Sequence, residues 1–158
     1  MATIRRNPTT TVVSTMDVEQ PVQPAGSEHL NVNGNPDVPN LATYLEATTT
    51  GCELELGGFD FSAIPPGSII NSIVVRRCKR ALSGILHVAA TVDLKVAGAV
   101  RETTKWYEDT DSQVLVLREV YDAPNVTRDE LATPGAFTIR SRSAHGKPPG
   151  AQPPDVES

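Results

Sequence analysis

The sequence predicts an all-β protein: an antiparallel β-sandwich with extended N- and C-terminal segments. Three observations predict it. Apolar and polar residues alternate with period two in short runs, as where Val88, Ala90, Val92, Leu94 and Val96 interleave with Ala89, Thr91, Asp93 and Lys95. Turn-forming Pro, Gly and Asn separate these runs, and no long stretch of helical periodicity lies between them, which favours antiparallel layers over a parallel α/β sheet. Apolar content is 39% while aromatic content is 4%, and Thr and Val are plentiful, so the core is aliphatic and β-branched.

Residues 3–16, with Thr9-Thr10-Thr11-Val12-Val13 at their centre, read as a first strand. Residues 17–40 carry Pro21, Pro24, Pro36, Pro39 and the dipeptide Asn33-Gly34, a turn-rich passage expected to lie extended against a neighbour. Leu41 to Leu45 suits a short strand or a helical turn. Cys52, Leu54 and Leu56 alternate with Glu53 and Glu55, the pattern of a strand with one wet face. Then comes Gly58-Phe59-Asp60-Phe61-Ser62-Ala63-Ile64-Pro65-Pro66-Gly67. Pro65 presets φ, Gly67 tolerates positive φ, and neither proline donates to a ladder, which predicts a β-hairpin at mid-chain.

Ile69 to Lys79 forms the strand that leaves this turn, with Ile73 and Val75 on one face and Val74, Arg76 and Cys78 on the other. Gly84 marks a loop before the alternating strand at 88–96. Trp106 and Tyr107 fall in a polar loop beside Lys105. Val114-Leu115-Val116-Leu117 is apolar on both faces, as in a central strand or one covered by a partner. Thr127 and Glu130 bracket a capping box ahead of Leu131, which predicts one helical turn. Phe137 and Ile139, alternating with Thr138 and Arg140, make the last strand. From Lys147 onward two Pro-Pro pairs stand in a polar, low-complexity tail that cannot bury enough surface to fold alone. The organisation is thus a strand and arm at 1–27, a sandwich at 28–144 and a Pro-rich tail at 145–158.

The 158 residues suit one core plus tails. Acidic residues number 19 against 14 basic, a net charge of −5, so the overall field attracts neither nucleic acid nor anionic lipid. No run approaches the ~18 apolar residues of a membrane helix, and Met1-Ala2-Thr3-Ile4-Arg5-Arg6 lacks the apolar core of a secretory signal, as expected of a protein made in the cytoplasm. Cys52 and Cys78 have no CxxC spacing; free buried thiols, a disulfide and redox or metal chemistry all stay open.

Motifs that carry chemistry are weak. His29, His87 and His145 lack any His or Cys at ligand spacing, and Glu108-Asp109-Thr110-Asp111 lacks the spaced carboxylates and bend glycine of a calcium loop. Ser62 has no nucleophile elbow around it. No enzymatic activity, cofactor or metal is expected. The run Arg76-Arg77-Cys78-Lys79-Arg80 is the densest positive charge. Without interleaved aromatics it makes a poor nucleic-acid platform, and a solvated strand end or a subunit contact salt-bridged to Glu53 or Glu55 fits better, ahead of an acidic patch on another protein. Trp106 suits a core plug or an interface anchor, with stacking on a sugar as the rival reading.

The order of motifs resembles a known module. A Leu-x-Leu strand (Leu54, Leu56) leads to Gly-Phe-x-Phe-Ser (Gly58 to Ser62) and Ile-Pro-x-Gly (Ile64 to Gly67). Ile-x-x-Ile-x-Val follows (Ile70, Ile73, Val75), then Val-x-Leu-x-Val (Val92, Leu94, Val96) ending at Gly98, then Lys105-Trp106. Thr127 and Leu131 precede Pro-Gly-x-Phe-x-Ile-Arg (Pro134 to Arg140). This resembles a β-sandwich module of tailed-bacteriophage virion proteins, over roughly residues 28–144. Arg77 departs from the apolar residue the family carries there, and Arg118-Glu119-Val120-Tyr121 replaces its aromatic-Gly loop.

The resemblance implies a jelly-roll-like fold and a structural place in a virion assembled in the host cytoplasm. The foremost expectation is an accessory capsid decoration protein that binds major capsid or tail proteins and forms a homo-oligomer, with no membrane and no nucleic acid. A minor tail or tail-tip protein and a carbohydrate-binding sandwich are the alternatives. Leu30, Tyr44, Arg76, Arg77, Trp106, Val120 and Tyr121 are the expected contact residues.

Overall fold

The computed structural model describes residues 2–32, 34–35, 38, 40, 42–46, 51–80, 87–109 and 114–145. Their side chains are described except at 46, 79–80, 87–90, 105–109, 114–117 and 144–145. The strands are β1 (Thr10–Ser14), β2 (Val18–Gln20), β3 (Tyr44–Glu46), β4 (Glu53–Gly57), β5 (Ser72–Arg80), β6 (His87–Val96), β7 (Ala99–Asp109), β8 (Val114–Asp122) and β9 (Phe137–His145). One short helix, α1 (Arg128–Ala132), and one 3₁₀ turn (Glu28–Asn31) complete the elements.

The architecture is all-β, antiparallel and sandwich-like. A five-stranded sheet in the order β1-β4-β9-β6-β7 faces a two-stranded sheet, β5-β8, and β2-β3 forms a separate small pair. From β4 to β9, only β6 and β7 are both consecutive in sequence and adjacent in a sheet. The other connections carry the chain from one layer to the other. The β6–β7 hairpin turns on Ala97 and Gly98 with φ of 49° and 82°, positive at both central residues as a right-twisted hairpin demands.

Strand β6 organises the core because it has partners on both edges, β9 and β7. Val92, Leu94 and Val96 lie on its inner face at 1%, 0% and 3% exposure, and Leu94 and Val96 join Phe137, Tyr121, Val126 and Leu131 in one cluster. Ile73 and Val75 of β5 pack on that cluster from the opposite layer. The alternation read along β5 therefore holds.

Several expectations are corrected. The Pro-Pro-Gly segment is not a hairpin, because β4 and β5 belong to different sheets. It forms an arch over the end of the sandwich instead. Phe59, Phe61 and Ile64 pack against the core, with Phe59 and Phe61 at 5.9 and 6.1 Å from the Phe137 ring. Burying aromatic rings outweighs a tight reversal. Gly67 does take a positive φ, 80°, and Arg128 Nε donates to the Ile64 carbonyl at 2.7 Å, tying α1 to the arch.

Ile69 lies outside β5 and is 85% exposed. Trp106 and Tyr107 belong to strand β7, not to a loop, and Arg118 to Tyr121 belong to β8. Within its sheet β8 pairs with β5 alone, so it is not central. The first strand spans Thr10–Ser14, and it pairs with β4, so the main sheet includes residues placed in the arm. The passage 17–40 contributes β2 and the 3₁₀ turn. The loop at Gly84 and the tail from Lys147 lie outside the described residues. The capping box is present: the Thr127 hydroxyl accepts from Glu130 N–H at 3.2 Å, and the Glu130 carboxylate accepts from Thr127 N–H at 2.9 Å.

Candidate functional site

Three surfaces carry polar or exposed apolar groups in a defined arrangement. The first is the face of the five-stranded sheet turned away from the core. Register aligns Glu55, Arg140, Asp93 and Thr103 across β4, β9, β6 and β7. Asp93, fully buried, accepts from the Thr103 hydroxyl at 2.7 Å, from Arg140 Nε at 2.8 Å and Nη2 at 2.7 Å, and Arg142 Nη2 approaches at 3.3 Å. One row on, Lys95 Nζ donates to Glu55 at 2.8 Å and the Thr138 hydroxyl donates to it at 2.7 Å. Burial pushes the Glu55 carboxyl up, but the hydrogen bonds from Lys95 and Thr138 and the charges of Lys95 and Arg140 outweigh it and hold it below its ordinary range.

The alternation along Cys52 to Leu56 puts Glu55 on a wet face, but Glu55 is buried, as is Asp93. Long basic side chains from neighbouring strands fold over them, which alternation within one strand cannot reveal. The network joins acids to bases and acts as a clamp across four strands, with Arg142 Nε its one buried nitrogen without a partner.

The second surface is the outer face of β5–β8. Because Ile73, Val75 and Tyr121 turn inward, Val74, Arg76, Arg118, Val120 and Asp122 turn outward. Val74 stands opposite Val120, at 36% and 38% exposure, Arg76 opposite Arg118, and Ser72 opposite Asp122. Cys78 lies on the same side, half-buried, and Cys52 is buried with its thiol 3.2 Å from Asp17; neither forms a disulfide.

The third surface is the N-terminal segment around β2–β3. Asn31, 5% exposed, holds it together: its amide donates to the Pro21 carbonyl at 2.9 Å and accepts from Gln23 at 2.9 Å. His29 N–H donates to the Thr11 hydroxyl at 2.8 Å, which fastens the segment to β1. Val22, Leu30, Val38 and Tyr44 project from it at 82%, 51%, 77% and 39% exposure.

The structure thus separates the expected contact residues. Leu30 and Tyr44 are exposed on the N-terminal segment, and Arg76 and Val120 lie on the outer face of β5–β8. Tyr121 is 5% exposed and is no surface contact. Its hydroxyl donates to the Val92 carbonyl at 2.7 Å and meets the Thr104 hydroxyl at 3.1 Å, and burial, foremost, pushes the phenol up. Arg77 points inward too, in an ion pair with Glu119 at 2.6 Å, and not to Glu53 or Glu55. An acid on β8 therefore answers the arginine that stands in an apolar position. The Trp106 side chain lies outside the described residues. Val74, Arg118 and Asp122 were missed, since only the β5–β8 register brings them together.

Among the described residues, no group of three or more His, Cys, Asp or Glu is placed to hold a metal ion, and no helix is long and apolar enough to cross a membrane. Compared with models of protein families, with curated proteins and with solved structures, the chain finds no match in any of the three.

Proposed function

We propose that this protein is a structural component of a tailed-phage particle, an accessory decoration protein that clasps neighbouring capsid subunits and catalyses no reaction. The observation that carries the reading is the exposed apolar and aromatic set Val22, Leu30, Val38 and Tyr44 on a segment held together by Asn31 and fastened to the sheet by His29. Apolar groups held in water on an ordered support mark surfaces that other proteins cover. The charge clamp on the main sheet supports the same reading, because its acids are paired with bases from neighbouring strands and tie the sheet into a platform. In a symmetric lattice, modest contacts repeated at every position add to strong retention.

The test is quantitative mass spectrometry of purified particles against the free pool of infected cells, with density for the chain located by electron cryomicroscopy. Stoichiometric recovery on the shell, at threefold or local sixfold positions, is the expected result. Density at the tail tip would assign a minor tail protein instead. Recovery only from the free pool would overturn the structural role.

A further inference from the structure

On the outer face of β5–β8 three cross-strand rows follow one another: Arg76 with Arg118, then Val74 with Val120, then Ser72 with Asp122. The middle row is apolar and more than a third exposed. One flanking row is cationic and the other carries an acid. Successive rows on one face lie roughly 6.7 Å apart.

This order has a symmetry property. Turning a second copy about a dyad that runs parallel to the sheet just above this face, and crosses the strands at the valine row, brings valine onto valine. The same operation brings the Arg76–Arg118 row over the Asp122 row, twice. We infer that this face is an isologous contact with a second copy of the chain, seated on Val74 and Val120 and oriented by two Arg118–Asp122 pairs.

Other occupants fit the rows less well. A uniformly acidic partner, protein or nucleic acid, gains from Arg118 but is repelled by Asp122. Nucleic acid also lacks an aromatic platform here, since the central pair is aliphatic. Of these occupants, a second copy satisfies all three rows. The inference goes beyond the particle role and does not depend on it.

The face of a two-stranded sheet is smaller than the ~800 Å² per partner of a standard stable interface, so the dimer is weak in free solution, with a Kd of roughly 0.1–1 mM. Sedimentation equilibrium of the full chain across that range is expected to show a monomer–dimer exchange. Arg118→Asp and Asp122→Arg, each checked for native unfolding midpoint, are expected to weaken it about tenfold or more by placing like charges together. The double exchange R118D/D122R restores opposite charges across the dyad and is expected to recover most of the loss. A folded wild type that stays monomeric throughout, single variants that dimerise like wild type, or a double exchange as weak as the singles would each overturn the inference. The assay needs no particle, so a dimer that never reaches particles would sink only the assembly role, and a particle-bound monomer only the dimer.

Discussion

Replacing Asp93 tests the charge clamp most directly. Its carboxylate is fully buried and receives the Thr103 hydroxyl, two nitrogens of Arg140 and one of Arg142. Asp93→Ala removes the acid and leaves two guanidiniums beside a gap. Breaking a buried pair in this way costs ~3–5 kcal/mol when the orphan stays dry. Here the Arg142 side chain is 41% exposed and can rehydrate, while Arg140 at 19% is more confined. The expected loss is therefore about 3 kcal/mol, below the full buried-pair value. Asp93→Asn keeps the shape and an acceptor for Thr103 but surrenders the charge, for an expected loss of about 1–2 kcal/mol. Urea unfolding followed by circular dichroism reads both, with an unchanged m-value showing that the unfolded state is the same. In a domain of this size 3 kcal/mol lowers Tm by roughly 6–12 °C. If Asp93→Ala costs under ~1 kcal/mol, or no more than Asp93→Asn, the clamp does not stabilise the sheet and the reasoning fails.

Tyr121→Phe deletes the hydroxyl that bridges to the Val92 carbonyl and Thr104; a loss of about 1–2 kcal/mol in the same urea assay is expected, with folding retained. Glu55 is held below its ordinary range in the folded state. Its contribution is therefore complete above the unfolded pKa of ~4.3 and is lost as pH falls through the lower folded value, so stability measured below about pH 4 should fall less steeply in Glu55→Gln. Gly58 has a φ of 72°, and a Cβ there would collide with the Thr9 hydroxyl, whereas Gly67 at 80° opens to free space. Gly67→Ala should cost about 1–2 kcal/mol of left-handed strain alone, and Gly58→Ala clearly more. Thr127→Ala removes the cap of α1 and should cost ~0.5–2 kcal/mol, read by thermal unfolding.

Local chemistry makes much of the fold legible in the sequence. The alternation across 88–96 names Val92, Leu94 and Val96 as core, and all three are buried. Thr127 and Glu130 announce their helix because a capping box is a four-residue interaction. Ile73 and Val75 face inward as their spacing demands. These features depend on neighbours within a few residues, which a linear sequence states in full.

What three dimensions alone decided is which strands meet. Nothing local distinguishes a hairpin from an arch at Pro65-Pro66-Gly67; the difference lies in where Phe59 and Phe61 find Phe137, more than 70 positions along the chain. Nor does a strand's own pattern tell that Glu55 will meet Lys95, that Arg77 will meet Glu119, or that Val74 will stand beside Val120. Sequence by itself set the period of each strand and hence which side chains share a face. Pairing register set which charges neutralise one another and which valines remain in water, because contacts between distant segments are chosen by the summed burial of the whole sandwich.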